Sequence, residues 1–134
     1  MTQKDLKEIY MITKEIEMWQ TELDRFREQN ALRSRPLTGM PFANTNTITD
    51  STAELATKIF EAECEIIGHK KALEAKRLNV MREIRKIDDS FLRQLVFYRA
   101  VDCKNWEEVS MLMGYERTTC SKAYNNFLKT LKED

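Results

Sequence analysis

Helix breakers are almost missing from this chain. Its 134 residues hold two prolines and three glycines, so little interrupts helix formation. Cysteine is sparse and scattered: Cys64, Cys103 and Cys120 lie far apart and are odd in number. None stands in a Cys-x-x-Cys or Cys/His spacing, and the single histidine, His69, has no companion ligand. That argues against a metal site. Unpaired thiols suit a reducing compartment. The first 30 residues are charged throughout and lack the apolar core of a signal peptide. No apolar run approaches the roughly 20 residues that span a bilayer. The expectation is a cytoplasmic protein with no membrane partner. Catalytic signatures are absent as well. There is no Gly-rich phosphate loop, no Ser/His/Asp set and no carboxylate pair with a defined task. An enzyme, or a protein with a cofactor, is therefore not expected. Net charge is lacking too: 22 basic and 22 acidic side chains cancel. Any electrostatic case for nucleic acid must then be local.

What is present is periodic and charged. Hydrophobic residues make up 42% and charged residues 33%, a balance that favours solvated helices. The expected fold is all-α. A long coiled-coil-like hairpin over residues 1–87 is followed by a compact three-helix domain over 88–134.

Residues 3 to 33 read as one helix, with Thr2-x-x-Asp5 as a capping signal. Its apolar positions Ile9, Ile12, Ile16, Trp19, Leu23 and Phe26 step by three and four, which is a heptad seam. Such a helix pairs with another, within the chain or between chains. Residues 34–50 carry Pro36 and Pro41 and form a loop, either a linker or a packed crossover. A second long helix starts at a Ser51-x-x-Glu54 capping box and runs to Ile87. Ile59, Ile66, Leu73, Val80 and Ile87 recur every seven residues. The other half of that seam reads as Ala56, Glu63, Lys70, Arg77 and Ile84, with polar positions limiting the register. Phe60, Ile67 and Met81 widen the stripe. Basic residues crowd its C-terminal half. They are either a solvated face suited to a helix C-terminus or an auxiliary phosphate-contacting surface, with Arg82, Arg85 and Lys86 as the candidates.

Three shorter helices follow. Asp89 is an N-cap for a helix from Phe91 to Val101. Asn105 is an N-cap for a second, whose core face is Trp106, Val109, Leu112 and Met113. Gly114 ends it where a left-handed residue is needed. The last helix spans 117–131 and turns Cys120, Tyr124, Phe127, Leu128 and Leu131 inward. Arg117, Thr118, Ser121, Lys122 and Asn125 then fall outside. These side chains suit a major groove: Arg bridges a guanine edge, Asn pairs with adenine, and Ser, Thr and Lys reach phosphates. From Arg117 to Lys132 there are four cations and no acid. Polar residues on a solvated helix are also the ordinary outcome, so periodicity alone leaves DNA binding open.

The order of residues adds to this. Arg99 to Ala123, with Trp106-Glu-Glu-Val109, Gly114-Tyr115 and the polar face after it, resembles region 4 of sigma-70-type factors, and the likeness runs from Phe91 to Leu131. It looks closest to the small phage transcriptional regulators of the ArpU/RinA type. The Pro36-Leu-Thr-Gly-Met-Pro41 loop is similar to that group as well. The resemblance implies sequence-specific binding of double-stranded DNA and control of phage or prophage late or packaging genes. It also implies recruitment of bacterial RNA polymerase rather than replacement of a sigma factor. Four positions depart from the pattern. Cys103 stands for a glycine, Ser110 for an alanine, Glu116 for a Ser cap and Cys120 for a valine. The heptad seam leads us to expect a homo-oligomer, with a dimer presenting two recognition helices. Two other readings fit the same residues: a small terminase-like DNA-recognition subunit of phage packaging, or a coiled-coil module that binds only protein.

Overall fold

The computed structural model describes residues 1–33 and 50–132. It is all-α: α1 Gln3–Arg33, α2 Asp50–Ile84, α3 Ser90–Val96, α4 Trp106–Met113 and α5 Arg117–Thr130. The two long helices form a hairpin and the short ones follow it. The loop expected at 34–50 lies outside the described residues, except that Asp50 already opens α2. Ser51 is therefore inside the helix, and its side-chain exchange with Glu54 is also outside what is described. No described helix is long and apolar enough to cross a membrane.

Compactness divides the chain into two units, residues 15–70 and residues 1–14 with 71–134. In the first, α1 and α2 close on each other within one chain. Leu23, Ala62 and Ile66 are buried, with Ile16, Trp19, Phe26 and Ile59 packed around them. The heptad seam of α1 is thus filled by α2. The α2 side of the seam differs from the expected one. Its second line runs through Leu55, Ala62 and His69, while Ala56 and Lys70 are exposed and Glu63 half-buried. The step from Ile59 is three residues rather than four. Polar members of this line are matched by acids on α1. His69 Nε2 lies 2.8 Å from Glu15 and 3.2 Å from Glu65. At the flank, Arg27 Nη2 meets Glu63 at 3.0 Å. Phe60 and Ile67, expected to widen the buried stripe, are instead 64% and 55% exposed. They point away from α1.

In the second unit, the Thr2–Asp5 capping box forms as expected. Thr2 N–H donates to the Asp5 carboxylate at 3.0 Å, and Asp5 N–H donates to Thr2 Oγ1 at 3.2 Å. The Thr2 amide, foremost, holds the Asp5 carboxyl below its usual range. Lys76 continues the α2 seam line and pairs with Glu8, and with Asp5 at 3.6 Å. The Glu8 bond, foremost, raises its ammonium above the usual value. Leu6, Ile9, Leu73, Val80 and Ile84 of this unit are buried. The start of α1 is also tied to the end of α5: Gln3 N–H donates to Lys132 O at 2.9 Å and its side chain to Leu128 O at 2.7 Å.

The helix expected to reach Ile87 stops at Ile84. Lys86 and Ile87 N–H turn back onto the carbonyls of Glu83 and Ile84 at 3.1 and 3.0 Å, and Arg93 Nη1 binds the Ile87 carbonyl. Tightened i→i+3 bonds of this kind satisfy last-turn carbonyls. Asp89 then caps α3, accepting from Phe91 N–H at 3.0 Å.

Candidate nucleic-acid interface

The three short helices share a small core. Leu95 of α3, Val109 of α4 and Cys120 of α5 are fully buried against one another, ringed by Phe91, Trp106, Met113 and Tyr124 among others. Each fully buried aliphatic side chain contributes about 1.5–3 kcal/mol, so this triad fixes how α4 and α5 meet. Burial pushes the Cys120 thiol and the Tyr124 phenol above their usual values.

A distinctive junction leads into α4. Beyond Val96 the helix widens: Asp102 N–H bonds to Phe97 O at 2.9 Å, a π-type turn. Cys103 follows with φ 56°. This left-handed conformation is costly for a side-chain-bearing residue and natural for glycine. Arg99 locks the junction, donating to Lys104 O at 2.9 Å with its guanidinium 4.5 Å from the centre of the Trp106 ring. Trp106 in turn stacks edge-on with Tyr124 of α5 at 5.5 Å. An arginine over a tryptophan face is worth about 0.5–2 kcal/mol. The first turn of α4 is thereby held against α5.

Asn105 caps α4 as expected, accepting from Glu108 N–H at 2.9 Å, while its amide donates to the Glu108 carboxylate at 3.0 Å. Gly114 ends the helix at φ 75°. Ser110 Oγ donates to Tyr115 O and closes the turn. Phe91 braces it from α3, with the Tyr115 ring 4.8 Å away edge-on. One residue of the expected α4 core does not go inward. Leu112 is 52% exposed, and Met113 takes the inner position beside Val109. At 100° per residue Trp106, Met113 and Val109 fall within about 60° of one another around α4, and Leu112 lies about 60° beyond Val109, at the edge of that face.

Helix α5 enters bare. Glu116 occupies its N-cap position without a side-chain hydrogen bond, so the first-turn N–H groups have no side-chain acceptor there. Arg117, Thr118, Lys122 and Asn125 are exposed, as expected, and Ser121 is half-buried. A surface cleft of about 470 Å³ gathers Arg117, Thr118 and Ser121 with Asn105, Trp106 and Glu107 of α4. Lys122 and Asn125 do not line it. They lie further round the helix, on one face with Thr118 at spacings of four and three. Lys129, exposed and four residues beyond Asn125, extends that face and was not among the expected contacts. Its spacing of seven from Lys122 carried the signal. Arg117 Nη1 lies 3.6 Å from the Glu107 carboxylate. Both are well exposed, so the pair is worth about 0–1 kcal/mol and leaves the guanidinium free to exchange partners.

The auxiliary cations stand differently. Arg82 lines a separate cavity of about 280 Å³ with Met1, Asp5, Lys76 and Glu83. Lys86 is tied to Glu83 at 3.1 Å, and that ammonium, foremost, lowers the Glu83 carboxyl. Arg85 is exposed in the turn after α2. None of the three lines the α4–α5 cleft. Among the described residues no group of three or more His, Cys, Asp or Glu side chains could hold a metal ion.

No protein-family model, no curated protein and no solved structure matches the chain.

Proposed function

We propose that this chain is a sequence-specific binder of double-stranded DNA that regulates transcription, with α5 entering the major groove. The observation that carries the reading is the free face of α5. Thr118, Lys122, Asn125 and Lys129 run along one exposed side with no acid among them, while Cys120 and Tyr124 hold the opposite side in the core. Ser121 and Arg117 border that face and converge with Asn105 in the cleft. Arg117 and Asn125 have the donor and acceptor geometry for base edges, and Thr118, Ser121, Lys122 and Lys129 for phosphates. The bare first turn of α5 adds N–H donors that favour an anion. The likeness to sigma region 4 and to ArpU/RinA-type regulators supports phage or prophage late or packaging genes as the targets. On this reading the protein works in the cytoplasm of a bacterial host and acts on RNA polymerase without catalysis of its own.

Two substitutions separate the roles. Lys122→Ala should weaken binding to all sequences alike. Asn125→Ala should relax specificity at one base position by about 1–3 kcal/mol. Binding of a panel of single-base operator variants measures both. Equal, sequence-independent effects of the two changes would contradict base reading by Asn125.

One observation favours a second reading, docking of protein rather than DNA by this unit. Met111, Leu112 and Tyr115 are 85%, 52% and 52% exposed on α4 and its turn. Such apolar exposure is a common mark of protein contact. Substituting Met111→Lys with Leu112→Lys should abolish function in transcription if this surface docks protein, and leave function intact if the unit acts through DNA bound by α5.

A further inference from the structure

The hairpin unit of residues 15–70 buries one face of α2 and leaves another open. Phe60, Cys64 and Ile67 step by four and three along the side away from α1, and all three are exposed. This is one heptad of apolar positions, bounded by Thr57 and Lys71, on a helix whose first seam is already filled. Gly68 edges it with open space where a side chain would stand. An apolar stripe with heptad spacing fits another helix. The charges beside it show which helix fits.

We infer that the stripe is a self-association surface on which α2 of a second copy lies antiparallel. In that arrangement the two-fold axis passes level with Glu65 and Ile66. Cys64 of each copy faces Ile67 of the other, and Phe60 closes each end level with Lys71, whose hydrocarbon stem can lie along the ring. Glu63, seven residues before Lys70 on the same flank, then lies two residues, about 3 Å along the axis, from level with Lys70 of the second copy; both side chains lean toward their own helix N-termini and so toward each other, and the pair recurs by symmetry. Glu63 has one carboxylate oxygen on Arg27 at 3.0 Å and a second one left for Lys70. A parallel pairing in register would set both charges against neutral residues and form no ion pair. The ion pairs, worth about 0–1 kcal/mol each at a surface, select direction and register, while the apolar stripe supplies the affinity. The interface is isologous, so it closes at two copies.

The test is sedimentation equilibrium of the full chain without DNA, which keeps it separate from the DNA-binding reading. Wild type should have twice the 15.9 kDa mass of one chain at micromolar concentration. Phe60→Lys should sediment as one chain with unchanged helicity by circular dichroism, because the ring faces solvent in the hairpin. Lys70→Glu alone and Glu63→Lys alone should each weaken the dimer. An equimolar mixture of those two should restore it, since each chain then meets opposite charges. Single-chain mass for wild type, an intact dimer in Phe60→Lys, or no restoration in the mixture would each overturn the inference.

Discussion

At the scale of single residues, Glu116 decides most at the proposed DNA face. It holds the N-cap position of α5, caps nothing, and places an acid where phosphate would approach. Its backbone, φ −63° and ψ 146°, already suits a capping residue. Glu116→Ser should stabilise the fold by about 0.5–1 kcal/mol through a new cap, a gain partly offset by losing a carboxylate at the positive helix end. It should also tighten DNA binding. Urea denaturation and a DNA titration on the same variant check both; weaker DNA binding would contradict the placement of α5. Cys120 and Tyr124 give a pH dependence. Burial raises both groups above their usual values of 9.0 and 10.0. The folded state then keeps protons that the unfolded chain releases. Their contribution is complete below the unfolded values and is lost as pH rises through the folded ones. The urea midpoint should therefore fall on going from about pH 8 to about pH 10.5. Caps were the features most legible in the sequence at this scale. Thr2 with Asp5, Asp89, Asn105 and Gly114 all act as expected, because capping depends on side chains within three residues of their targets. The left-handed backbone of Cys103 was not legible, because cysteine carries no preference for that conformation.

At the scale of elements, helix extents followed from pattern, and the faces followed less well. The α1 seam from Ile9 to Phe26 was readable because every position in it is apolar. The α2 seam was not, because its second line includes His69 and Lys76, which resemble surface residues until Glu15, Glu8 and Asp5 appear opposite. Only the partner helix shows that these are seam positions. The π-type turn at Phe97–Val101 had no sequence signal. Leu112 stands at the edge of the α4 face made by Trp106, Val109 and Met113, and apolar character alone does not separate an edge position from an inner one. The corrected seam makes a prediction. Leu55→Ala, in the buried line that the expected seam lacked, should cost about 2–3 kcal/mol, whereas Ala56→Ser, on the line expected instead, should cost little because Ala56 is exposed. Urea denaturation followed by helicity distinguishes them, and similar costs would contradict the seam.

For the whole molecule, zero net charge makes the account specific. A neutral chain has no general pull on nucleic acid, so affinity must come from the few cations of α5 and the residues beside them. The candidate face was legible as a helix wheel in its outward residues, including the exposed Lys122 and Asn125. Its limits were not. The cleft draws in Asn105, Trp106 and Glu107 from α4 and its cap, and Lys129 prolongs the face, while Arg82 lines a separate cavity and Lys86 is paired with Glu83. The most direct test of the central claim is the affinity of the full chain for prophage promoter DNA across a range of salt. The logarithm of the association constant should fall linearly with the logarithm of salt concentration, at about 0.9 per phosphate neutralised, and Lys122→Ala should make the slope shallower by about one contact. Failure to retain any promoter fragment at low salt, or a slope unchanged in Lys122→Ala, would contradict DNA recognition by α5.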